Sequence, residues 1–249
     1  MGIRENIIQE ASTEAEGKTV SDVRIGLGYT SVLLDSGEMG LAYTWQSDPK
    51  TECTVFKGMR PLAGKPVMAV IEMLSSEDTL ANAIALAAAN AVLNNRKQEY
   101  VPGDLVKTMN ITPSDTVCMI GAFMPVIAGL KERVASLHVF ERNVNMAGDF
   151  LPAEQAVDYL PNSNVVIVTS TSILNSTIDT LLQAAENCRE IVMLGASTPL
   201  CAKVFAGTPV TALSGVVVAD REAVARDISE GGGMKIFKDH VKKVTLKTR

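Results

Sequence analysis

From Asp115 to Asp220 short apolar runs alternate with longer mixed stretches, and each run ends in a cluster of Gly, Ser, Thr, Asn or Pro. The runs DTVCMIG, ASLHVFE, NVVIVTS and REIVMLG have strand length and are rich in Val, Ile and Leu. This alternation predicts an α/β, Rossmann-like parallel sheet whose ligand sits where strands hand over to helices. Helices are expected at about 126–133, 153–159, 176–188, 200–206 and 221–231, and PVTALSG with VVVAD supplies a fifth and a sixth strand.

The earlier part reads differently. Ile7, Ile8 and Ala11 lie amid Glu and Gln over residues 4–16, which predicts a surface helix closed by Gly17. VSDVRIGLG, TSVLLDSG and GLAYTWQ follow as strands, with Ser36-Gly37 a turn signal, so an antiparallel meander is expected. A short apolar piece, VMAVIEML, then precedes a helix at about 79–93 that is apolar nearly all round and therefore demands burial. Its polar exceptions Thr79, Asn90 and Asn94, with Asn82 beside them, form a narrow stripe. Such a stripe either caps neighbouring backbone or lines a cleft, and Asn90 is a ligand-binding candidate on the second reading. Strands followed by helix make this a smaller α+β domain. The polar, breaker-rich stretch 95–114 marks the boundary, giving domains at 1–100 and 101–249.

Composition narrows the function. With 23 Lys and Arg against 28 Asp and Glu, the net charge of −5 argues against nucleic acid as partner. The basic run from Lys235 to Arg249 reads as a solvated end. The N-terminus lacks a signal-peptide stretch and no segment has membrane-span character, so no membrane partner and a cytoplasmic location are expected. Cys53, Cys118, Cys188 and Cys201 are too scattered for a metal or redox motif and read as buried thiols; no protein-borne metal site is expected.

Candidate chemistry gathers at the strand ends. Gly121 closes the first parallel strand where a dinucleotide fold has its glycine-rich turn, but the other glycines of that fingerprint are missing. Pro125 suits the first turn of the helix that follows. Glu141 closes the second strand, 20 residues beyond Gly121, the spacing of the acid that holds ribose hydroxyls in nucleotide-binding sheets. Asp149 lies in a Gly- and Pro-bounded loop as a second catalytic carboxylate candidate. Thr169, Thr171, Asn175 and Thr177 form a hydroxyl and amide set after the third strand, and Ser197 and Thr198 follow the fourth. His138 alternates within a strand and reads as packed, and a G-x-S-x-G serine is absent, so serine-hydrolase chemistry is disfavoured. Ser229–Gly233 reads as a helix C-cap and tail joint, with phosphate binding the weaker alternative.

The segments GMRPLAG, ANAVLN, VCMIGAFMP, GDFLP, TSTSILNSTIDTLL, GASTPL, LSGVVVAD and SEGGG, in order over nearly the whole chain, resemble the family known as "putative heavy-metal chelation". The resemblance implies an enolase N-terminal-like domain, then a Rossmann-like domain partly similar to methyltransferases, with the site in the cleft between them. It implies that metals enter through chelating molecules. The positions matching the family's patterns are Gly121, Pro125, Glu141, Asp149, Asn175, Thr177, Ser197, Thr198 and Pro199, with Ala196 where the family often has proline.

Three functions remain open on the sequence. One is an enzyme that condenses or hydrolyses a small pterin-, flavin- or siderophore-like molecule, with Glu141 or Asp149 as acid–base or anchoring groups and helix N-termini stabilising negative charge. Another is a transferase using S-adenosylmethionine or a nucleotide as cofactor. The third is a non-catalytic protein that holds a metal chelate or metabolite. The partner is a small-molecule ligand or metal chelate in each, and assembly into a homo-oligomer stays open.

Overall fold

The computed structural model describes residues 2–45, 56, 58–95, 98–101, 105–143 and 149–248. Cys53 and Gly148 lie outside the described residues. The first half runs α1 (Ile3–Ala15), β1 (Val20–Ile25), β2 (Tyr29–Leu34), β3 (Met39–Tyr43), α2 (Val67–Ile71) and α3 (Thr79–Leu93). Its strands form the expected three-stranded antiparallel meander. The helix read as a surface element, α1, buries Ile3, Ile7, Ala11 and Ala15 at helical spacing, and Gly17 ends it in the left-handed region.

Every residue of α3 from Ala81 to Leu93 is buried. Its alanine-rich surface lets the sheet approach closely: a Cβ on Gly40 of β3 would stand 2.1 Å from Ala87 O and Ala91 N. Only hydrogen fits there. The asparagine stripe caps backbone. Asn90 Nδ2 donates to Leu41 O (2.8 Å) and Ser197 O (3.2 Å), and Asn94 Nδ2 donates to Thr198 O (3.0 Å) while its Oδ1 accepts from Leu200 N (2.7 Å).

The second half runs α4 (Leu105–Thr108), β4 (Thr116–Ile120), α5 (Met124–Leu130), β5 (Ser136–Glu141), β6 (Leu151–Pro152), α6 (Ala156–Tyr159), β7 (Val165–Thr169), α7 (Ile178–Ala184), β8 (Glu190–Leu194), β9 (Ala212–Val218), α8 (Arg221–Ser229), α9 (Met234–Phe237) and β10 (Val241–Lys247). The sheet order is β10-β9-β8-β7-β4-β5-β6, with every pair parallel except β10 on β9. Counted from β4, the parallel strands follow the order 3-2-1-4-5-6 of a doubly wound sheet, whose switch point lies between β4 and β7. Several elements are shorter than expected: the stretch at 200–206 forms only a 3₁₀ turn at Ala202–Phe205, and PVTALSG with VVVAD makes the single strand β9.

The basic end is a strand rather than a solvated tail. β10 alternates buried Val241 and Thr245 with exposed Lys242, Lys243 and Lys247, and lysines on an outer strand discourage edge pairing. Likewise Gly231–Gly233 lead from α8 into α9 rather than to a free joint.

Strand residues alternate between two cores. Val117, Met119, Val165, Ile167 and Val192 pack with Leu105, Val106 and Leu130 from α4 and α5. Cys118, Ile120, Val166, Val168 and Met193 face the other way, into a core shared with α1, α3, α6 and α7. Burial pushes the Cys188 thiol up to about 11 and raises that of Cys118, so these thiols stay protonated and act as small apolar groups.

At the edge opposite the turns after β4 and β7, Arg189 forms a bidentate pair with buried Asp115 (3.0 and 2.7 Å), which also accepts Thr112 N at 2.7 Å. The hydrogen-bonded guanidinium holds this carboxyl below the ordinary carboxylate range, although burial opposes it. A depressed folded-state value stabilises the fold at pH above the unfolded range, and that contribution drains as pH falls through the folded value. Asp115→Asn is therefore expected to unfold at lower temperature at neutral pH. Thermal melts from pH 7 down to about 3 should show the difference from the parent shrinking as acid removes the parent's advantage.

Candidate functional site

A cavity of about 860 Å3 opens at the switch point. One side is built by the turns after β4, β5, β7 and β8: Gly121–Phe123, Glu141–Arg142, Thr169–Ser172 and Gly195–Ser197 line it. Tyr29, Tyr43 and Trp45 from the first meander line it from the other half. These rings contact one another edge to face, Tyr29 with Tyr43 at 5.9 Å and Tyr43 with Trp45 at 6.3 Å between centroids, and Tyr29 is braced by Phe237 at 5.2 Å. Burial, and then the neighbouring Tyr43, raise the Tyr29 phenol, so it stays a neutral donor.

The turns are held by their own sequence. Gly121 adopts φ +89°, and a Cβ there would stand 2.9 Å from Thr169 Cβ, so two strand ends meet at a glycine. Glu141 Oε2 accepts Ala122 N at 2.9 Å and Oε1 accepts Arg142 N at 2.8 Å. The carboxylate thus ties the end of β5 to the glycine turn of β4, and each oxygen keeps a lone-pair direction for a ligand. The Arg142 guanidinium lies over Trp45, 4.5 Å from the ring centroid, joining the two walls.

Beyond β7 the polar groups largely satisfy one another. Thr169 and Thr171 share a hydroxyl bond of 3.0 Å, and Asn175 Oδ1 accepts Thr177 Oγ1 at 2.8 Å. Ser176 between them takes φ +62°, a conformation that non-glycine residues adopt at a cost and that clusters at ligand-facing loops. Ser197 Oγ accepts Tyr43 N at 2.8 Å and fastens the β8 turn to β3.

The cavity thus brings together Gly121, Glu141, Thr169, Thr171, Asn175, Thr177 and Ser197. Four expected residues stand apart. Asn90 is fully buried in α3 and spends its amide on carbonyls, so its place is behind the cavity wall. Thr198 is also fully buried, its hydroxyl bonded to Gly195 O, Ser214 O and Ser170 Oγ. Pro125 turns outward in the first turn of α5, away from the lining. Asp149 is exposed ahead of β6; because Leu151 and Pro152 pair with Phe140 and Glu141, the next carboxylate to reach the cavity is Glu154. At the first turn, ahead of the seven-residue α5, the Ala122 N–H already donates to Glu141.

The aromatic wall escaped the sequence reading. Tyr29, Tyr43 and Trp45 sit in a meander far from the parallel strand ends, and only tertiary packing brings them there. The one signal was the unusual placement of the chain's single Trp beside Tyr43 at the end of a strand.

Chemically the cavity offers apolar and aromatic walls, a fixed carboxylate, a stacked guanidinium and many hydroxyls. Among the described residues no three His, Cys, Asp or Glu side chains come together as a metal-holding group, and no helix is long and apolar enough to cross a membrane.

Comparison with known proteins agrees with this architecture. A protein of unknown function from Pyrococcus horikoshii superposes with a TM-score of 0.87 at 24% identity, covering 99% of this chain and 100% of that one. Another of unknown function from Desulfitobacterium hafniense gives 0.80 at 22% identity, covering 98% of each. An uncharacterised protein of Methanocaldococcus jannaschii is 24% identical over 98% of this chain and 96% of its own length. Two family models, both described as "putative heavy-metal chelation", match residues 8–93 and 104–247. The second alone spans more than half of the sequence, and the chain belongs to that family.

Proposed function

We propose that the protein binds a small, planar, polar molecule of chelator type, pterin-, flavin- or siderophore-like, in the switch-point cavity, and that its link to heavy metals runs through that molecule. The observation that carries this reading is the pairing of an aromatic wall, Tyr29, Tyr43 and Trp45, with the hydroxyl- and carboxylate-bearing strand ends. A conjugated ring gains stacking from one side and hydrogen bonds from the other.

Among the described residues, the side chains do not fit a soft heavy metal held directly. Cys118, Cys188 and Cys201 are buried, and the described carboxylates that line the cavity are Glu141 and Glu154. Soft metals select thiolate or imidazole ligands, so a chelate carried as a whole suits this wall better than a bare ion. Glu141 would anchor the ligand's donor edge and exchange a proton with a hydroxyl or amino group there.

S-adenosylmethionine use has one observation in its favour: Glu141 ends the second strand of a 3-2-1-4-5-6 sheet, the place of the acid that takes ribose hydroxyls.

Trp45 is the only Trp in the chain and lies in the cavity wall, so its fluorescence reports occupancy directly. Titration with a pterin, riboflavin and a free or iron-loaded catecholate should give saturable quenching by at least one. Glu141→Ala should weaken it roughly 10- to 100-fold, the value of about 1.5–3 kcal/mol for a hydrogen bond to a charged group. The reading fails if none of these quenches Trp45.

A further inference from the structure

In a doubly wound sheet the turn after the first strand ordinarily presents N–H groups to a phosphate. Here that turn is already addressed by an anion. The Ala122 N–H donates to Glu141 Oε2 at 2.9 Å, and the carboxylate itself lines the cavity. A phosphate brought to this turn would lose that donor and meet a negative charge within hydrogen-bonding distance, which costs most where water is scarce.

The rest of the described lining does not compensate. Arg142 is the one cationic side chain among the described lining residues, and its guanidinium is stacked on Trp45 rather than aimed at the turn. The lone-pair directions left on Glu141 call for hydrogen-bond donors.

We infer that Glu141 keys the Gly121–Ala122 turn to the donor edge of a phosphate-free ligand, an amino- or hydroxyl-bearing planar ring, and rejects the phosphorylated form of the same ring. This rests on the proposed reading of the cavity as a planar-ligand site. It has a consequence for the cofactor classes: nucleotides and dinucleotides are disfavoured, whereas S-adenosylmethionine, which carries no phosphate, is compatible.

Matched pairs test it. Riboflavin against flavin mononucleotide, and adenosine against adenosine monophosphate, differ only by the phosphate, and Trp45 quenching measures each affinity. The parent should prefer the unphosphorylated member of a binding pair by at least about tenfold. Glu141→Gln removes the charge and keeps one of the two acceptors that Ala122 N–H and Arg142 N–H use, and the preference should fall toward parity. Salt offers a check that needs no variant: between about 0.05 M and about 0.5 M ionic strength the parent's preference should narrow as the repulsion is screened.

Equal or tighter binding of a phosphorylated member by the parent would overturn the inference while leaving the planar-ligand reading intact. A preference unchanged both by Glu141→Gln and by salt would remove Glu141 from the role. No quenching by any of the four compounds, or by a pterin or catecholate, would overturn the reading beneath it as well.

Discussion

Residues 98–249 expressed without the first half should show no cooperative unfolding transition, whereas the full chain melts as one unit. The reason lies in the face of the parallel sheet that carries Cys118, Ile120, Val166, Val168, Met193 and Leu213. That face packs into one core with Ile3, Ile7 and the buried length of α3, alongside α6 and α7 from its own half. Parallel sheets are stable when both faces are covered, and deletion uncovers part of one. The polar latches go too. Arg4 Nε and Nη2 donate to Ile173 O (2.7 Å) and Leu174 O (2.6 Å), Asn6 donates to Val204 O (3.0 Å), and Asn82 donates to Leu174 O (3.3 Å). Each freed carbonyl is rehydrated, but the 3₁₀ turn at Ser170–Ile173 loses the partners that fix it. Calorimetry and amide exchange would check this; a sharp two-state melt of the isolated half, with protection in β4, β7 and β8, would show that it folds alone.

The parallel half was legible because its strands are buried on both faces and so read as unbroken apolar runs, TVCMI and VVIVT among them. Helix α3 was legible for a related reason, since thirteen buried residues leave little polar text in it. What misled was the C-terminal run. Lysines dominate it by count, yet Val241 and Thr245 are buried partners of β9, and period-two alternation at an outer strand is easily read as solvated charge.

Strand ends were legible as the working edge because topology alone sends consecutive parallel strands the same way. Which residues there face a ligand was only partly legible. Ser197 and Thr198 are buried neighbours of like chemistry, but Ser197 lines the cavity while the Thr198 hydroxyl is spent beneath it on Gly195 O, Ser214 O and Ser170 Oγ. Asparagines on a buried helix could serve backbone or ligand, and the pairing with loops more than 90 residues away decides for backbone.

That pairing gives the second large effect. Asn94→Leu removes the donor to Thr198 O and the acceptor for Leu200 N, both satisfied inside the protein, and leaves two backbone groups without partners. At about 1–3 kcal/mol for each such group, a loss of ~3 kcal/mol is expected, or roughly 6–12 °C in Tm for a chain of this size. Asn90→Leu should cost less. Its amide also serves two carbonyls, but its Oδ1 is buried with no hydrogen-bond partner among the described residues, so leucine removes an existing penalty along with the bonds. The two variants also differ in where the damage falls. Asn94 holds the chain on both sides of Pro199, directly after the turn whose Gly195–Ser197 line the cavity, so its loss should loosen that wall and weaken quenching of Trp45 by a bound ring. Thermal melts with Trp45 titrations on both variants would check the order. An Asn94→Leu protein as stable as Asn90→Leu, with unchanged quenching, would mean that the β8 turn keeps its shape without α3.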